Sequence, residues 1–356
     1  MPSLEDLPIR SDLRGLTPYG APQLDVPIQL NVNENTFGIP EKVAISIVER
    51  LATATLGLNR YPDREFLELR SALAGFLNAE LSPEQVWAAN GSNEILQQFF
   101  TAFGGPERKA ISFGPTYSMY PNIARGTLTN YEEFPREENY SLSPGYLAEK
   151  VKIEKPDIVI LCTPNNPTGN SISLEAIVAA YDAFDGMLVV DEAYQEFSSQ
   201  PSAVELLVDR PRLVVSRTMS KAFAFAGARL GYMASHSSVV DAMRIVRLPY
   251  HLSALTQAAS LAAIEHATDL LANVEQIKAQ RDRIARAVED FGLQANPSDA
   301  NFVLVSGFKN PDQMFQSLLE RGVLIRNVGI ANSLRITAGT ESETTKLLAE
   351  LSLLLD

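Results

Sequence analysis

Short apolar runs separated by helical stretches constrain this chain more than any other feature. They are Val86-Trp87-Ala88-Ala89, Ala110-Ile111-Ser112-Phe113, Ile158 to Cys162, Met187 to Val190, Leu213 to Val215 and Leu230 to Ala234. A strand with one wet face alternates polar and apolar residues; these runs are nearly continuous, so both faces are expected to be buried. Strands of that kind belong to a mostly parallel sheet covered by helices, and the predicted fold class is α/β. Helical patterns fill the intervals. One starts near residue 41 with Val43, Ile47, Val48 and Leu51 on one face, and Arg60-Tyr61-Pro62-Asp63 breaks it with turn chemistry. A second carries Phe66, Leu69, Leu73 and Leu77, a third is expected over Ile95 to Phe103, and residues 255–290 read as one long helix. Beyond it, strands at Asn301 to Val305, Val323 to Arg326 and Leu334 to Thr337 surround a helix at Gln313 to Leu319, with a terminal helix from Ser342 to Leu354. The expected organisation is an extended arm over 1–35, a large domain over 36–265 and a smaller α+β domain over 266–356.

Composition narrows the function. The 356 residues are 46% apolar, and no apolar run approaches the length of about 20 that spans a bilayer. The first residues, Met1-Pro2-Ser3-Leu4-Glu5-Asp6, lack the basic-then-apolar pattern of a signal peptide. Cys162 is the sole cysteine, which excludes an internal disulfide and fits a reducing, cytoplasmic setting; within its apolar run it is expected to be a buried, inert thiol. A net charge of −13 argues against nonspecific nucleic acid or anionic lipid binding. Any anionic ligand must therefore be held by a local cluster of arginines and amides. His236, His251 and His266 show no metal-ligand spacing, and no metal site is expected.

Chemistry gathers at four expected strand ends, where ligands of parallel α/β sheets bind. The first is Asn90-Gly91-Ser92-Asn93-Glu94: free amides at a helix start beside a glycine suit a phosphate, although Ser92 as an ordinary cap would look the same. The second is Thr163-Pro164-Asn165-Asn166-Pro167-Thr168-Gly169, in which Asn166 offers an amide donor. In the third, Asp191 follows buried valines and needs a partner, whether a cationic ring nitrogen or the helix start it would cap; Tyr194 lies three residues on. The fourth is Thr218-Met219-Ser220-Lys221-Ala222-Phe223, with Arg229 eight residues after the lysine. A lysine at a buried strand end loses hydration, so its neutral, nucleophilic form is easier to reach. Beside groups suited to phosphate, it suggests a Schiff base with the aldehyde of pyridoxal phosphate; a solvated lysine after a strand is the plain alternative. Tyr117 offers a ring for stacking or for filling the core.

The order and content of these segments resemble the fold-type I pyridoxal phosphate aminotransferases, and within them the histidinol-phosphate aminotransferases, over nearly the whole chain. Leu30-Asn31-Val32-Asn33-Glu34-Asn35, Arg60 to Asp63, Gly91 to Glu94, Thr163 to Gly169, Asp191 to Tyr194, Ser220 to Phe223 and Leu334-Arg335-Ile336-Thr337 carry the likeness. The resemblance implies that Lys221 bonds the cofactor aldehyde and later moves the substrate proton, that Asp191 pairs with the ring nitrogen, and that Asn166 and Tyr194 hold the phenolic oxygen. It implies that Tyr117 stacks on the ring, and that Gly91, Ser92, Thr218, Ser220 and Arg229, with Asn93 alongside, receive the cofactor. Tyr61 matches a tyrosine that reaches the cofactor phosphate from a neighbouring subunit, which implies a homodimer. Arg335 matches the arginine that grips the carboxylate of glutamate, a planar fork on a planar anion. Arg326, Tyr19, Asn93 and Tyr250 are candidates for the distal end of the substrate, with arm packing, a helix start or a loop contact as equal alternatives for the last three. Thr36 departs from the family, which commonly has proline after Asn-Glu-Asn.

The reaction so implied interconverts imidazole-acetol phosphate and L-glutamate with L-histidinol phosphate and 2-oxoglutarate, in histidine biosynthesis. Three alternatives remain open on the sequence. A transaminase for phenylalanine or tyrosine would share the cofactor site, with Tyr19, Phe37 and Tyr250 lining an aromatic pocket. A decarboxylase of phosphorylated amino acids differs only in which Cα bond lies perpendicular to the ring. A regulator built on this fold would need a DNA-binding module, for which the chain has neither room nor charge.

Overall fold

A computed structural model of the chain describes residues 4–18 and 20–355. In chain order its strands are β1 (Ile28–Gln29), β2 (Val86–Ala89), β3 (Lys109–Gly114), β4 (Asn130–Pro135), β5 (Ile158–Cys162) and β6 (Met187–Asp191). They continue with β7 (Leu213–Thr218), β8 (Gly231–Ser235), β9 (Gln294–Ala295), β10 (Phe302–Ser306), β11 (Val323–Leu324) and β12 (Ser333–Thr337). The helices are α1 (Glu41–Leu56), α2 (Leu67–Leu77), α3 (Ser92–Phe103), α4 (Tyr120–Gly126), α5 (Pro144–Glu154) and α6 (Leu174–Asp182). The rest are α7 (Ser237–Val246), α8 (Ala254–Glu265), α9 (Ala267–Leu271), α10 (Val274–Asp290), α11 (Pro311–Glu320) and α12 (Glu341–Leu355).

Seven strands form the central sheet in the order β2-β8-β7-β6-β5-β3-β4. Only β8 runs against its neighbours, β2 and β7; every other pairing is parallel. The continuous apolar runs explain themselves in the packing. Along β5, Ile158, Ile160 and Cys162 join one buried cluster, while Val159 and Leu161 join a second on the opposite face. On β6 and β7, Val189 and Val214 face the first cluster, and Leu188, Val190, Leu213 and Val215 the second. Each such side chain contributes about 1.5–3 kcal/mol by leaving water, so one charged residue in β5 or β6 would break one layer.

Four expectations need correction. The single helix over 255–290 is three helices, α8, α9 and α10, interrupted at His266 and at Ala272-Asn273. His266 leaves helical geometry at φ −106°, ψ 25°, and its N–H donates to Ala262 O as the last backbone bond of α8. Second, Val48 is 63% exposed, beside exposed Ile45 and Leu56, while Val43 is buried and Ile47 and Leu51 pack on the core. Third, α3 begins at Ser92, not Ile95, with Gly91 as N-cap and no side-chain cap, so Ser92 does not cap it. Fourth, the strand expected to reach Arg326 ends at Leu324, and Arg326 joins Arg335 only through an isolated bridge. Sequence patterning also missed the edge strand β4, whose exposed Asn130, Glu132 and Glu133 do not make a buried run.

Strand direction, more than strand number, decides where a ligand can sit. Because β2, β3, β5, β6 and β7 are mutually parallel, their carboxyl ends share one edge of the sheet. Register places Asp191 beside Cys162 on one side and Ser216 on the other. The C-terminal strands β9, β10 and β12 form a separate antiparallel sheet in which Arg335 lies opposite Leu304. The N-terminal segment joins this part of the chain: β1 pairs in parallel with β11, Leu30 N–H donates to Leu324 O at 2.7 Å, and Thr337 N–H to Leu30 O at 3.1 Å. Residues 31–33 are thereby carried to the mouth of the central sheet. Among the described residues no helix is long and apolar enough to cross a membrane.

Candidate active site

A cleft of about 490 Å³ opens at the carboxyl edge of the central sheet, lined from every strand end that the sequence singled out. One end of it is an anion cup. No side chain caps α3, so its first amides are left for a ligand. Thr218 Oγ1 donates to Ser220 Oγ at 3.0 Å, and Arg229 Nη1 to the same oxygen at 3.4 Å. Two glycines permit this closeness. Gly91 has φ +89°, and a Cβ on it would collide with Arg229 Nη2; a Cβ on Gly231, at the start of β8, would collide with the Gly91-Ser92 backbone. Gly231 has no distinct sequence signal, because its role depends on a neighbour from another strand.

At the far side, Asp191 closes β6 with 2% of its surface exposed. The buried Tyr120 hydroxyl donates to Oδ2 at 2.8 Å, while Oδ1 is buried with no hydrogen-bond partner. Burial pushes the carboxyl up from 3.8 to about 6; the Tyr120 bond opposes this and the Glu192 charge adds to it. An orphaned carboxylate oxygen on a cleft wall is a place for a cationic N–H. Asp191 caps no helix, since it ends a strand.

Lys221 lines the same cleft, its Nζ donating to Val32 O at 2.9 Å. Burial pulls its amine down from 10.5 to about 8, helped by Arg335 and Arg229 and opposed by Glu34. The Tyr194 hydroxyl receives Asn33 Nδ2 at 2.9 Å and Asn166 Nδ2 at 3.4 Å. With two amides donating to it, the phenol keeps its own hydrogen for an acceptor in the cleft. Burial holds Tyr194 well above its ordinary pKa, so it stays protonated. Arg335 donates from Nη1 to Asn166 Oδ1 and from Nη2 to Asn31 O, each at 2.6 Å, with its guanidinium 5.2 Å from the Phe302 ring. Asn33, fixed by Thr337 Oγ1 donating to its Oδ1 at 2.8 Å, and Tyr120 were not singled out from the sequence as site residues.

Most of the remaining candidates converge here. Ser92, Asn93, Tyr117 and Arg326 line the same cleft, and the Tyr117 hydroxyl reaches Asn93 Oδ1 at 3.3 Å. Tyr61 and Tyr250 do not line it. They stack on each other at 4.4 Å on an outer face, 79% and 40% exposed. Phe37 packs against the core rather than lining the cleft. Tyr19 lies outside the described residues. Cys162 is buried beneath the cleft, its thiol pushed up to about 12 by burial and the Asp191 charge, which makes it inert as a nucleophile. Among the described residues no cluster of His, Cys, Asp and Glu is fit to hold a metal ion.

The arrangement thus offers an anion cup, a carboxylate oxygen awaiting a cation, a base of lowered pKa and an arginine fork around one cavity. Comparison with known proteins gives the same picture a lineage. The sequence profile of the family Aminotransferase class I and II matches residues 25–351. The chain is 57% identical over 358 aligned residues to the histidinol-phosphate aminotransferase of Paenarthrobacter aurescens (strain TC1), covering 99% of this chain and 96% of that protein. It is 50% identical to that of Mycobacterium avium (strain 104), covering 98% and 88% of the two chains. In three dimensions it matches the crystal structure of histidinol-phosphate aminotransferase from Sinorhizobium meliloti in complex with pyridoxal-5'-phosphate, with TM-score 0.83 and 27% identity over 93% and 91% of the chains. This chain therefore belongs to the class I and II aminotransferases, within the group of the histidinol-phosphate aminotransferases.

Proposed function

We infer that the chain is a pyridoxal 5'-phosphate-dependent transaminase that interconverts imidazole-acetol phosphate and L-glutamate with L-histidinol phosphate and 2-oxoglutarate, in histidine biosynthesis. The observation that carries this is the cleft itself, in a chain 57% identical to a histidinol-phosphate aminotransferase: Lys221, Arg335 and Asp191, with one carboxylate oxygen unpaired, line one cavity. The residues fit the cofactor. Ser92, Thr218, Ser220 and Arg229, around Gly91, would hold its phosphate; Asp191 Oδ1 its ring N–H; Asn166 and Tyr194 its phenolic oxygen; and Tyr117 its ring face. When bound, the cofactor supplies an electron sink for the bond that breaks at the substrate's Cα.

The chain's own residues do the rest. Asp191 would accept the ring N–H and favour the protonated nitrogen; burial alone raises its carboxyl to about 6, and a cation opposite would favour the ionised form that this role needs. Arg335 fixes the substrate carboxylate, and its bond to Asn166 ties that grip to the residue on the phenolic oxygen. Lys221, with an amine near 8, takes the proton from the substrate's Cα as general base. Arg326 and Asn93, on the same cleft, are assigned to the distal end of the substrate. Tyr19 and Tyr250 remain assigned there as part of the proposal, the latter from a second copy.

With this goes a homodimer. What supports it is the exposure of large apolar side chains on α1 (Ile45, Val48 and Leu56) and of Leu248 and the stacked pair Tyr61 and Tyr250, which a partner surface would cover. In this reading the exposed Tyr61 reaches the partner's cofactor phosphate. The division near residues 35 and 265 and a cytoplasmic location belong to the same reading.

The test is direct. Purified protein should absorb in the visible with pyridoxal phosphate, glutamate should bleach that band, and imidazole-acetol phosphate should restore it. Catalytic efficiency for histidinol phosphate should exceed that for phenylalanine by at least about 100-fold, the reach of a dedicated polar subsite. A preference for phenylalanine would replace the substrate. Carbon dioxide release from a phosphorylated amino acid, with no response to glutamate, would replace the reaction.

A further inference from the structure

We propose that Tyr120 is the positioning residue for Asp191: its hydroxyl anchors Oδ2 and so fixes the turn of the carboxylate that presents Oδ1 to the cofactor's ring nitrogen. This rests on the proposed function, in which Asp191 faces that ring. A carboxylate turns freely about its last torsion, which is broad and roughly two-fold. Left alone, both oxygens of Asp191 would exchange places and the charge would point nowhere in particular. The Tyr120 bond breaks the symmetry, beside a weaker influence of the Ala193 backbone N–H on the carboxylate. Tyr120 Oη lies 2.8 Å from Oδ2, and Oδ1 has no partner.

Tyr120 is itself held firmly. It is fully buried at the start of α4, its N–H donates to Tyr117 O at 3.2 Å, and its ring meets Tyr117 edge-on at 5.5 Å and 84°. The residue that faces the cofactor ring and the residue that aims the carboxylate thus stand three positions apart on one short segment. The same bond has a second effect. Burial favours the neutral acid at Asp191, and a donated hydrogen bond favours the anion, so the hydroxyl also helps keep the charge that the ring nitrogen needs. The phenol cannot take over that charge, because burial and the Asp191 carboxylate hold Tyr120 well above its ordinary pKa.

The experiment is a double-mutant cycle of Tyr120→Phe, Asp191→Asn and both together. Apoprotein is titrated with pyridoxal phosphate for a dissociation constant, and the half-reaction with glutamate is followed in a single turnover, with rates taken per cofactor-bound site so that loss of folded protein does not enter. Tyr120→Phe alone should weaken cofactor binding and slow the half-reaction, each by about 10-fold or more, the scale of a hydrogen bond to a charged group. The concentration of glutamate giving half-maximal rate should stay within about two-fold, since Arg335 is untouched. With Asn at 191, removing the Tyr120 hydroxyl should change neither quantity by more than about two-fold. Equal losses in both backgrounds, or no loss with Asp at 191, would reduce Tyr120 to core filler and overturn the proposal. Were Asp191→Asn alone to cost nothing, the facing of Asp191 and the ring would fall first, and the positioning role with it.

Discussion

Asp191 should make the cofactor-free protein less stable than it need be, and the size of that cost can be worked from its surroundings. The carboxyl moves from 3.8 to about 6 because it is buried with one oxygen unpaired. A gap of that size corresponds to about 3 kcal/mol between its protonation states. The sign is fixed by linkage. The folded state holds the proton more tightly than the unfolded chain, so the group's contribution is fully present below 3.8 and is lost as pH rises through about 6. Above that, the apoprotein carries a buried carboxylate with no cation opposite. Asp191→Asn removes the charge and keeps an amide oxygen to accept the Tyr120 hydroxyl. At about 2.1 cal/mol/K per residue, unfolding 356 residues has an entropy of roughly 0.75 kcal/mol/K, so about 3 kcal/mol is worth about 4 °C. Differential scanning calorimetry of the apoprotein at pH 8 should therefore place the Asn variant about 4 °C above the parent, and the gap should close as pH falls from about 6 to 4. Saturating pyridoxal phosphate should reverse the order, because only the parent gains the full binding energy. An Asn variant that melts at or below the parent at pH 8, without cofactor, would refute the reasoning. It would mean that the unpaired oxygen costs the fold nothing.

Three further outcomes test other parts of the site. Lys221→Ala should abolish turnover, by about 10⁴-fold or more, while pyridoxal phosphate still binds without a covalent link; sustained turnover in a steady-state assay would reject the general-base role. Gly231→Ala should weaken cofactor binding at least about 10-fold in an apoprotein titration, because its Cβ collides with the Gly91-Ser92 backbone that forms the anion cup. Arg335→Lys should cut kcat/KM for glutamate about 100-fold, since a point charge cannot keep both the carboxylate fork and the bond to Asn166.

How much of this is legible in the sequence depends on whether a feature is local. The buried runs at 158–162, 187–190 and 213–215 announce themselves because each residue's two-sided burial excludes polar positions from the strand. β4 is missed for the complementary reason: an edge strand faces water on one side and has no such restriction. Helix continuity at 255–290 is misread because the apolar spacing runs on across backbone breaks at His266 and at Ala272-Asn273, which no Pro or Gly announces. Val48 is exposed on α1, as Ile45 and Leu56 are, and a pattern read for a single core assigns it inward.

The site divides along the same line. Asp191, Asn166, Ser220 and Lys221 are readable because each lies at or just beyond a strand whose end is visible, and parallel strands deliver such ends to one edge. Asn33 and Tyr120 are not readable as site residues, for the distance between partners is long: Asn33 meets Tyr194 from 161 residues away, and Tyr120 meets Asp191 from 71. Neither of the two sits on a strand end; Asn33 lies in the Leu30–Asn35 stretch that carries the likeness but without a role assigned to it, and a tyrosine is common enough to carry no signal alone. Yet these two decide how the visible residues are held. Asn33 helps set the direction of the Tyr194 hydroxyl, and Tyr120 leaves one oxygen of Asp191 bound and the other bare. The chemistry of this cleft is thus written locally, in four short segments, while its aim is written in contacts that only the closed fold brings together. A chain can therefore keep every residue whose role its segments announce and still lose function through one to which they give none, and Tyr120 is where that consequence is most sharply exposed.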